Sequence, residues 1–204
     1  MVVCAALENL RRTSRTANGV SDTSSSADKP KLVVAEGSAL ASATENLVRT
    51  TLEWLLDREL ERPSAEQVRS LIVDLAERMI GEVLAPGQSI FRTWETKFEM
   101  QTRLADLDAE FDRFCEELAA RLQDGDAVST AAWVERRIDA VVHPFADGCG
   151  KISKALSAWV LYRAGVPLPI WESRESYLSH LIAEPTNPGL PESFLAYYRS
   201  RIER

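Results

Sequence analysis

Histidine is nearly missing from this chain: His143 and His180 are the two in 204 residues. Imidazole chemistry near neutral pH therefore has two addresses. Cysteine is scarce as well. Cys4, Cys115 and Cys149 are odd in number and far apart, which excludes a disulfide framework and a zinc-ligand spacing and favours a reducing compartment. Long apolar runs are absent, none nearing the roughly 20 residues that cross a bilayer, so no membrane partner is expected. The opening residues 1–7 are apolar but short, and their basic neighbours follow rather than precede them, the reverse of a secretory signal. A cytoplasmic protein is expected, with secretion as a bacterial effector left open by a Ser-rich stretch. Positive charge is not in excess either. The net charge of -7 cannot offset the phosphate field of a duplex, so nucleic acid is excluded as a partner. A nucleotide, which needs only a local positive pocket, is not excluded.

What remains is an ordinary soluble composition, 45% apolar and 27% charged, long enough for one medium domain with a real core. Residues 11–30 carry Ser, Thr, Asp and Asn with almost no large apolar side chains, too little to offset the entropy of ordering. Residues 1–37 are read as a disordered arm and 38–204 as the domain. From residue 43 the pattern turns helical. Leu47, Leu52, Leu55 and Leu56 share a face, and Pro63 stops that helix. Ser64 and Gln67 have the spacing of a capping box before the stripe Val68, Leu71, Ile72, Leu75, Met79, Ile80 and Val83, which Pro86-Gly87 ends. Further helices are expected over 105–122, 129–142, 151–164, 173–182 and 191–202. The stretch 89–101 is ambiguous, because Phe91, Trp94 and Phe98 are spaced as in a helix while Thr93, Thr96 and the aromatics favour strand. No internal repeat is present. The fold class is all-α, a helical bundle with at most one small β-hairpin.

One segment carries chemistry: His143-Pro-Phe-Ala-Asp-Gly-Cys-Gly-Lys-Ile-Ser-Lys154. A base, a carboxylate and a glycine-bracketed turn lie just before an apolar helix. Such a turn aims backbone N–H groups at the positive end of the helix dipole, where phosphate binds. The histidine can take a proton while the carboxylate holds a metal ion. Arg174 and Tyr177 could lie near a nucleotide base, though their spacing reads first as helix surface. His180 reads as incidental and Cys115 as core.

This segment resembles the signature of the Fic family, HPFx(D/E)GNGRxxR. The helix before it and the run Leu161-Tyr-Arg-Ala-Gly165-Val-Pro-Leu-Pro after it are also family-like. Upstream, Pro86-Gly-Gln-Ser-Ile-Phe-Arg92 resembles the start of the family's flap, a β-hairpin that aligns the target. The resemblance covers roughly residues 38–204 and implies a Fic-like helical bundle. It also implies a protein adenylyltransferase, a nucleotidyltransferase that moves AMP from ATP, with Mg²⁺, to a hydroxyl of an unidentified target protein. His143 would then be the general base and Asp147 the metal ligand. Gly148, Cys149, Gly150, Lys151 and Lys154 would bind the nucleotide phosphates, and Phe145 would anchor the loop.

Three positions depart from the signature. Cys149 stands for Asn, exchanging an amide donor for a weak S–H; a neutral thiol is expected beside a bound triphosphate. Lys151 and Lys154 stand for two arginines, keeping charge but losing the bidentate fork. Ala41-Ser-Ala-Thr-Glu45-Asn46 partly matches the family's inhibitory helix; Glu45 would then pair with Lys154, or is simply an acidic residue in a helix's first turn. Two functions follow: a nucleotidyltransferase, or a catalytically weakened nucleotide-binding module.

Overall fold

The computed structural model describes residues 2–13, 38–96 and 98–202. Among them are eight α-helices and no strand: α1 (Val2–Thr13), α2 (Ser38–Leu56), α3 (Ala65–Ile80), α4 (Leu107–Asp124), α5 (Ala127–Arg136), α6 (Cys149–Arg163), α7 (Arg174–Leu181) and α8 (Glu192–Ile202). The class is all-α. No helix among these residues is long and apolar enough to cross a membrane.

α5 and α6 lie side by side at the centre, and α2, α3, α4, α8 and α1 pack around them. Their burial explains why their sequences lack a simple stripe. Every α5 residue from Thr130 to Arg136 is buried, as is every α6 residue from Ile152 to Leu161, the pattern of a helix enclosed on all sides. The outer helices are one-sided. In α3 the stripe Val68, Leu71, Ile72, Leu75, Met79 and Ile80 is buried as its period requires. Ser64 caps α3, with Gln67 N–H donating to Ser64 Oγ at 3.2 Å and Ser64 N–H to Gln67 Oε1 at 2.9 Å, worth about 1 kcal/mol.

α5 begins two residues earlier than its apolar pattern indicates. Asp126 accepts from Val128 N–H at 3.3 Å and Ser129 N–H at 3.0 Å, so the carboxylate after Gly125 is a cap. The expected arm is corrected at its start. Residues 2–13 form α1, and Ala6, Leu7 and Leu10 are buried at helical spacing. Three apolar side chains on one face, docked against α6 and α2, supply burial that a composition average over 1–37 hides. Residues 14–37 of that arm lie outside the described residues.

The small hairpin that the sequence allowed is not formed among the described residues. Among the described residues, 84–103 contains no strand pair; its one ladder contact is an antiparallel bridge between Phe91 and Phe145. Arg92 N–H donates to Pro144 O at 3.0 Å and Ala146 N–H to Ile90 O at 2.7 Å. The segment's backbone is thus spent on the 144–146 loop rather than on a second strand.

A candidate anion loop at the start of α6

Past Arg136 the helix widens to a π-helix over Arg137–Val142. Its last bond, His143 N–H to Ile138 O at 3.2 Å, spans five residues, and π turns often mark functional sites. His143 then takes the left-handed conformation, φ 44° and ψ 59°, which is costly for a non-glycine residue. That turn breaks the helix and starts the loop. Pro144 and Phe145 follow into the interior. Phe145 is fully buried, with its ring 5.6 Å from Phe91 and 5.9 Å from Phe111, so the loop is anchored in the core between His143 and Asp147.

His143 Nδ1 lies 2.9 Å from Asp139 O. A carbonyl oxygen only accepts, so Nδ1 carries the proton and Nε2 keeps its lone pair. In its neutral form the ring is thus held in the tautomer of a base. Asp147 is partly exposed, and no hydrogen bond or ion pair engages its carboxylate among the described residues. Gly148 sits at φ 72° and offers α6 no side-chain cap; Lys151 N–H and Ile152 N–H donate to Gly148 O at 2.8 and 2.9 Å, which leaves the N–H groups of Cys149 and Gly150 without an intrahelical acceptor. A Cβ on Gly148 would come 2.7 Å from Ile80 Cγ2, and one on Gly150 would come 3.1 Å from Asp139 Oδ2. Gly148 is favoured by its φ and by this close approach, whereas at Gly150 the Asp139 carboxylate would have to give by a few tenths of an ångström. α6 has no acidic residue in its first turn, and partly exposed Lys151 stands there instead, opposing the helix dipole unless an anion is present.

Two residues expected at the phosphate, Cys149 and Lys154, have buried side chains. Cys149 is 1% exposed and directs its thiol to Phe145 O at 3.7 Å. Burial pushes that thiol far above its ordinary pKa, and only its backbone N–H faces the turn. Lys154 is 7% exposed. Its Nζ donates to Gly150 O at 3.3 Å, lies 3.9 Å from Asp139 Oδ2 and sits 3.9 Å from the Tyr177 ring centre. Glu45 lies exposed in α2, outside the groups that hold this ammonium.

The cause lies in Glu135 of α5 and Asp139 of the π turn that follows it, four residues apart on the side facing α6. Glu135 is buried; Tyr177 OH donates to it at 2.8 Å and Tyr198 OH at 3.2 Å, while Ser157 Oγ lies 2.5 Å from Tyr198 OH. Because the Tyr198 proton goes to Glu135, Ser157 supplies the proton of that short bond. Burial raises the Glu135 pKa, and the Lys154 charge and the hydroxyl donors pull it back. Lys154 is the counter-charge of this cluster. Tyr177, a candidate for the nucleotide base, is a fully buried member of it. His180 Nδ1 donates to Ser176 O at 2.8 Å, and its ring stacks on Tyr197 at 3.8 Å between centroids.

A metal would fit here in one way. No group of three or more His, Cys, Asp or Glu side chains among the described residues could enclose an ion. A single disengaged carboxylate, Asp147, beside an anion turn instead suits Mg²⁺, which takes one or two carboxylates and completes its shell with phosphate and water. A concavity of about 560 Å³ lies elsewhere, between α4, Trp133, Arg137 and Pro188–Gly189, and no residue from 143 to 151 lines it. Within it Glu110 holds Arg113 at 2.6 Å and Arg137 at 3.4 Å.

Among solved structures, one similar to this chain is a Fic domain-containing signaling protein from Bacteroides thetaiotaomicron VPI-5482. It superposes with a TM-score of 0.63 at 19% identity, over 83% of this chain and 71% of that one. The fold is Fic-like. No protein-family model and no curated protein matches the sequence. At that identity the likeness speaks for the helical arrangement, and the chemistry rests on the loop itself.

Proposed function

We propose that this protein is a Fic-type transferase that moves AMP, or another phosphate-bearing nucleotide group, from a magnesium nucleotide to a hydroxyl on a target protein. The observation that carries the reading is the joint arrangement of His143 and the α6 start. An imidazole in the base tautomer, a disengaged carboxylate and uncapped helical N–H groups fall within one loop. In the transfer, His143 Nε2 takes the proton of the attacking hydroxyl as its oxygen bonds to the α-phosphorus, and pyrophosphate leaves. The N–H groups of Gly148, Cys149 and Gly150 hold phosphate oxygens, with Lys151 adding positive charge. Mg²⁺ on Asp147 would neutralise charge on the leaving phosphates. Lys154 serves from behind, fixing the Gly150 carbonyl that Ser153 Oγ also meets at 3.1 Å.

The inward placement of Lys154 favours a second reading, a nucleotide-binding module with weak or no transfer. Incubation with labelled ATP, GTP, CTP and UTP plus Mg²⁺ separates the two. Label transferred to protein by the wild type and lost in His143→Ala supports the transferase. Saturable binding without label supports the module.

A further inference from the structure

Arg92 is 2% exposed, and its three guanidinium nitrogens each serve a different backbone carbonyl. Nε donates to His143 O at 2.8 Å, Nη1 to Trp94 O at 2.9 Å, and Nη2 to Thr102 O. The first is the carbonyl of the proposed base itself. The other two lie at opposite ends of the 94–102 segment. Backbone bonds run beside this fork: Arg92 N–H to Pro144 O at 3.0 Å and Thr102 N–H to Val141 O at 2.8 Å.

A charged group loses much solvation on burial and persists only where its donors are met. Here desolvation lowers the guanidinium pKa and the nearby Glu95 charge opposes that shift. The cost is accepted for geometry, since a planar fork fixes direction in a way an ammonium does not. His143 needs such fixing. It sits in a left-handed conformation, and its carbonyl direction sets that peptide plane, hence where the ring points.

We infer that Arg92 is a positioning residue for His143: one guanidinium locks the base's left-handed turn to both ends of the 94–102 segment, so the arrangement of that segment is felt at the imidazole. The inference rests on the transferase reading for its kinetic consequence, but the clamp can be tested without activity.

The test uses the full chain. In the wild type, long-range ¹H–¹⁵N correlation of the His143 ring should report a single tautomer protonated at Nδ1. In Arg92→Lys, which keeps charge and loses the fork, that signal should become a mixture of tautomers while circular dichroism stays helical. In the transfer assay the same variant should lose about 10²-fold in kcat, the scale of a small misplacement, with the nucleotide KM nearly unchanged because the α6 N–H groups are untouched. An unchanged tautomer and unchanged kcat in Arg92→Lys would overturn the inference; so would an equal fall in helicity and activity with no ring signature. If no Arg92 variant folds, the wild type still decides. The amides of Arg92, Thr102 and Ala146 should exchange with deuterium as one unit, whereas independent, fast exchange at Thr102 would refute the clamp. A wild type with the expected tautomer and common exchange but no transfer would sink the proposed function and leave the clamp standing.

Discussion

From His143 to Asp147 the loop is held by backbone and by Phe145, leaving Nε2 and the Asp147 carboxylate disengaged. From Cys149 to Lys154 the departing side chains sink inward, the thiol onto Phe145 O and the ammonium into the Glu135–Asp139–Tyr177 cluster. The half that resembles the Fic signature keeps Nε2 and the Asp147 carboxylate available. Of the three replaced positions in the other half, two have become core residues and only Lys151 still faces the anion turn. A substitution at a motif position therefore does not by itself report on ligand binding, because the new side chain can answer to the helix behind it. The contrast predicts that changes in the first half alter rate, and changes in the second half alter stability.

The largest effect should come from His143→Ala. Removing a positioned base typically costs about 10²–10⁴-fold in rate, so label transfer should fall by that scale. Stability should fall by only about 1 kcal/mol, since the side chain's bond is a single one to Asp139 O. Transfer assays with urea unfolding of the same preparation check both halves of the statement. A variant that unfolds readily but transfers at wild-type rate would reverse the comparison.

Helix periods, the Ser64 box and the tail of helices from α4 onward were legible because local rules and tertiary packing agree there. So was the turn into α6, since Gly148 at positive φ and Gly150 beside Asp139 mark it in the sequence. Other features needed the third dimension. Lys154 reads as a phosphate cation until Glu135 and Asp139 are seen facing it across the helix pair, and nothing in its own neighbourhood of sequence announces them. Tyr177 reads as helix surface because α7 is short and weakly amphipathic, yet it is fully buried. The π turn has no sequence mark at all. It adds a residue to the turn before His143 and so changes the direction in which the chain leaves the helix. α1 was legible in principle: Val3, Ala6, Leu7 and Leu10 have helical spacing, and averaging them with the polar stretch that follows obscured it.

Next in size is Lys154→Met. The substitution keeps length and apolar bulk but leaves buried Glu135 without its counter-charge, which should cost about 3 kcal/mol. The expected result is a lower urea midpoint with nearly wild-type nucleotide affinity per folded molecule. If affinity falls and the midpoint holds, Lys154 reaches the ligand after all and the inward placement is wrong. Lys154→Arg, meant to restore the signature, should also destabilise, by about 1–3 kcal/mol, because a longer planar group is forced into a filled site.

A smaller effect should appear in the pH dependence of stability. The folded pKa of Glu135 is raised from its ordinary value of 4.5, chiefly by burial. Its contribution is therefore fully present below the unfolded carboxylate pKa and is lost as pH rises through the raised folded value. Over that window the wild type should weaken with rising pH, and Glu135→Gln should show a flatter profile. The slopes, compared by urea midpoints across pH, decide the matter; the absolute stabilities do not, because the variant also alters the Lys154 pairing. Parallel slopes would mean that the carboxylate is as well solvated folded as unfolded, contrary to its burial.

The smallest effect belongs to Lys151, the replaced position that still belongs to the loop's open side. Lys151→Arg places a planar fork beside the α6 N–H groups, where it can meet two phosphate oxygens at once. The site is partly exposed, so solvent screening limits the gain to on the order of 0.5 kcal/mol in nucleotide affinity, with no change in unfolding midpoint. Calorimetric titration with a magnesium nucleotide reads the first and urea the second. A stability loss like that expected of Lys154→Arg would show that Lys151 too is committed to the core. The division would then fall between His143–Asp147 and everything after it, rather than between the exposed and the buried faces of α6.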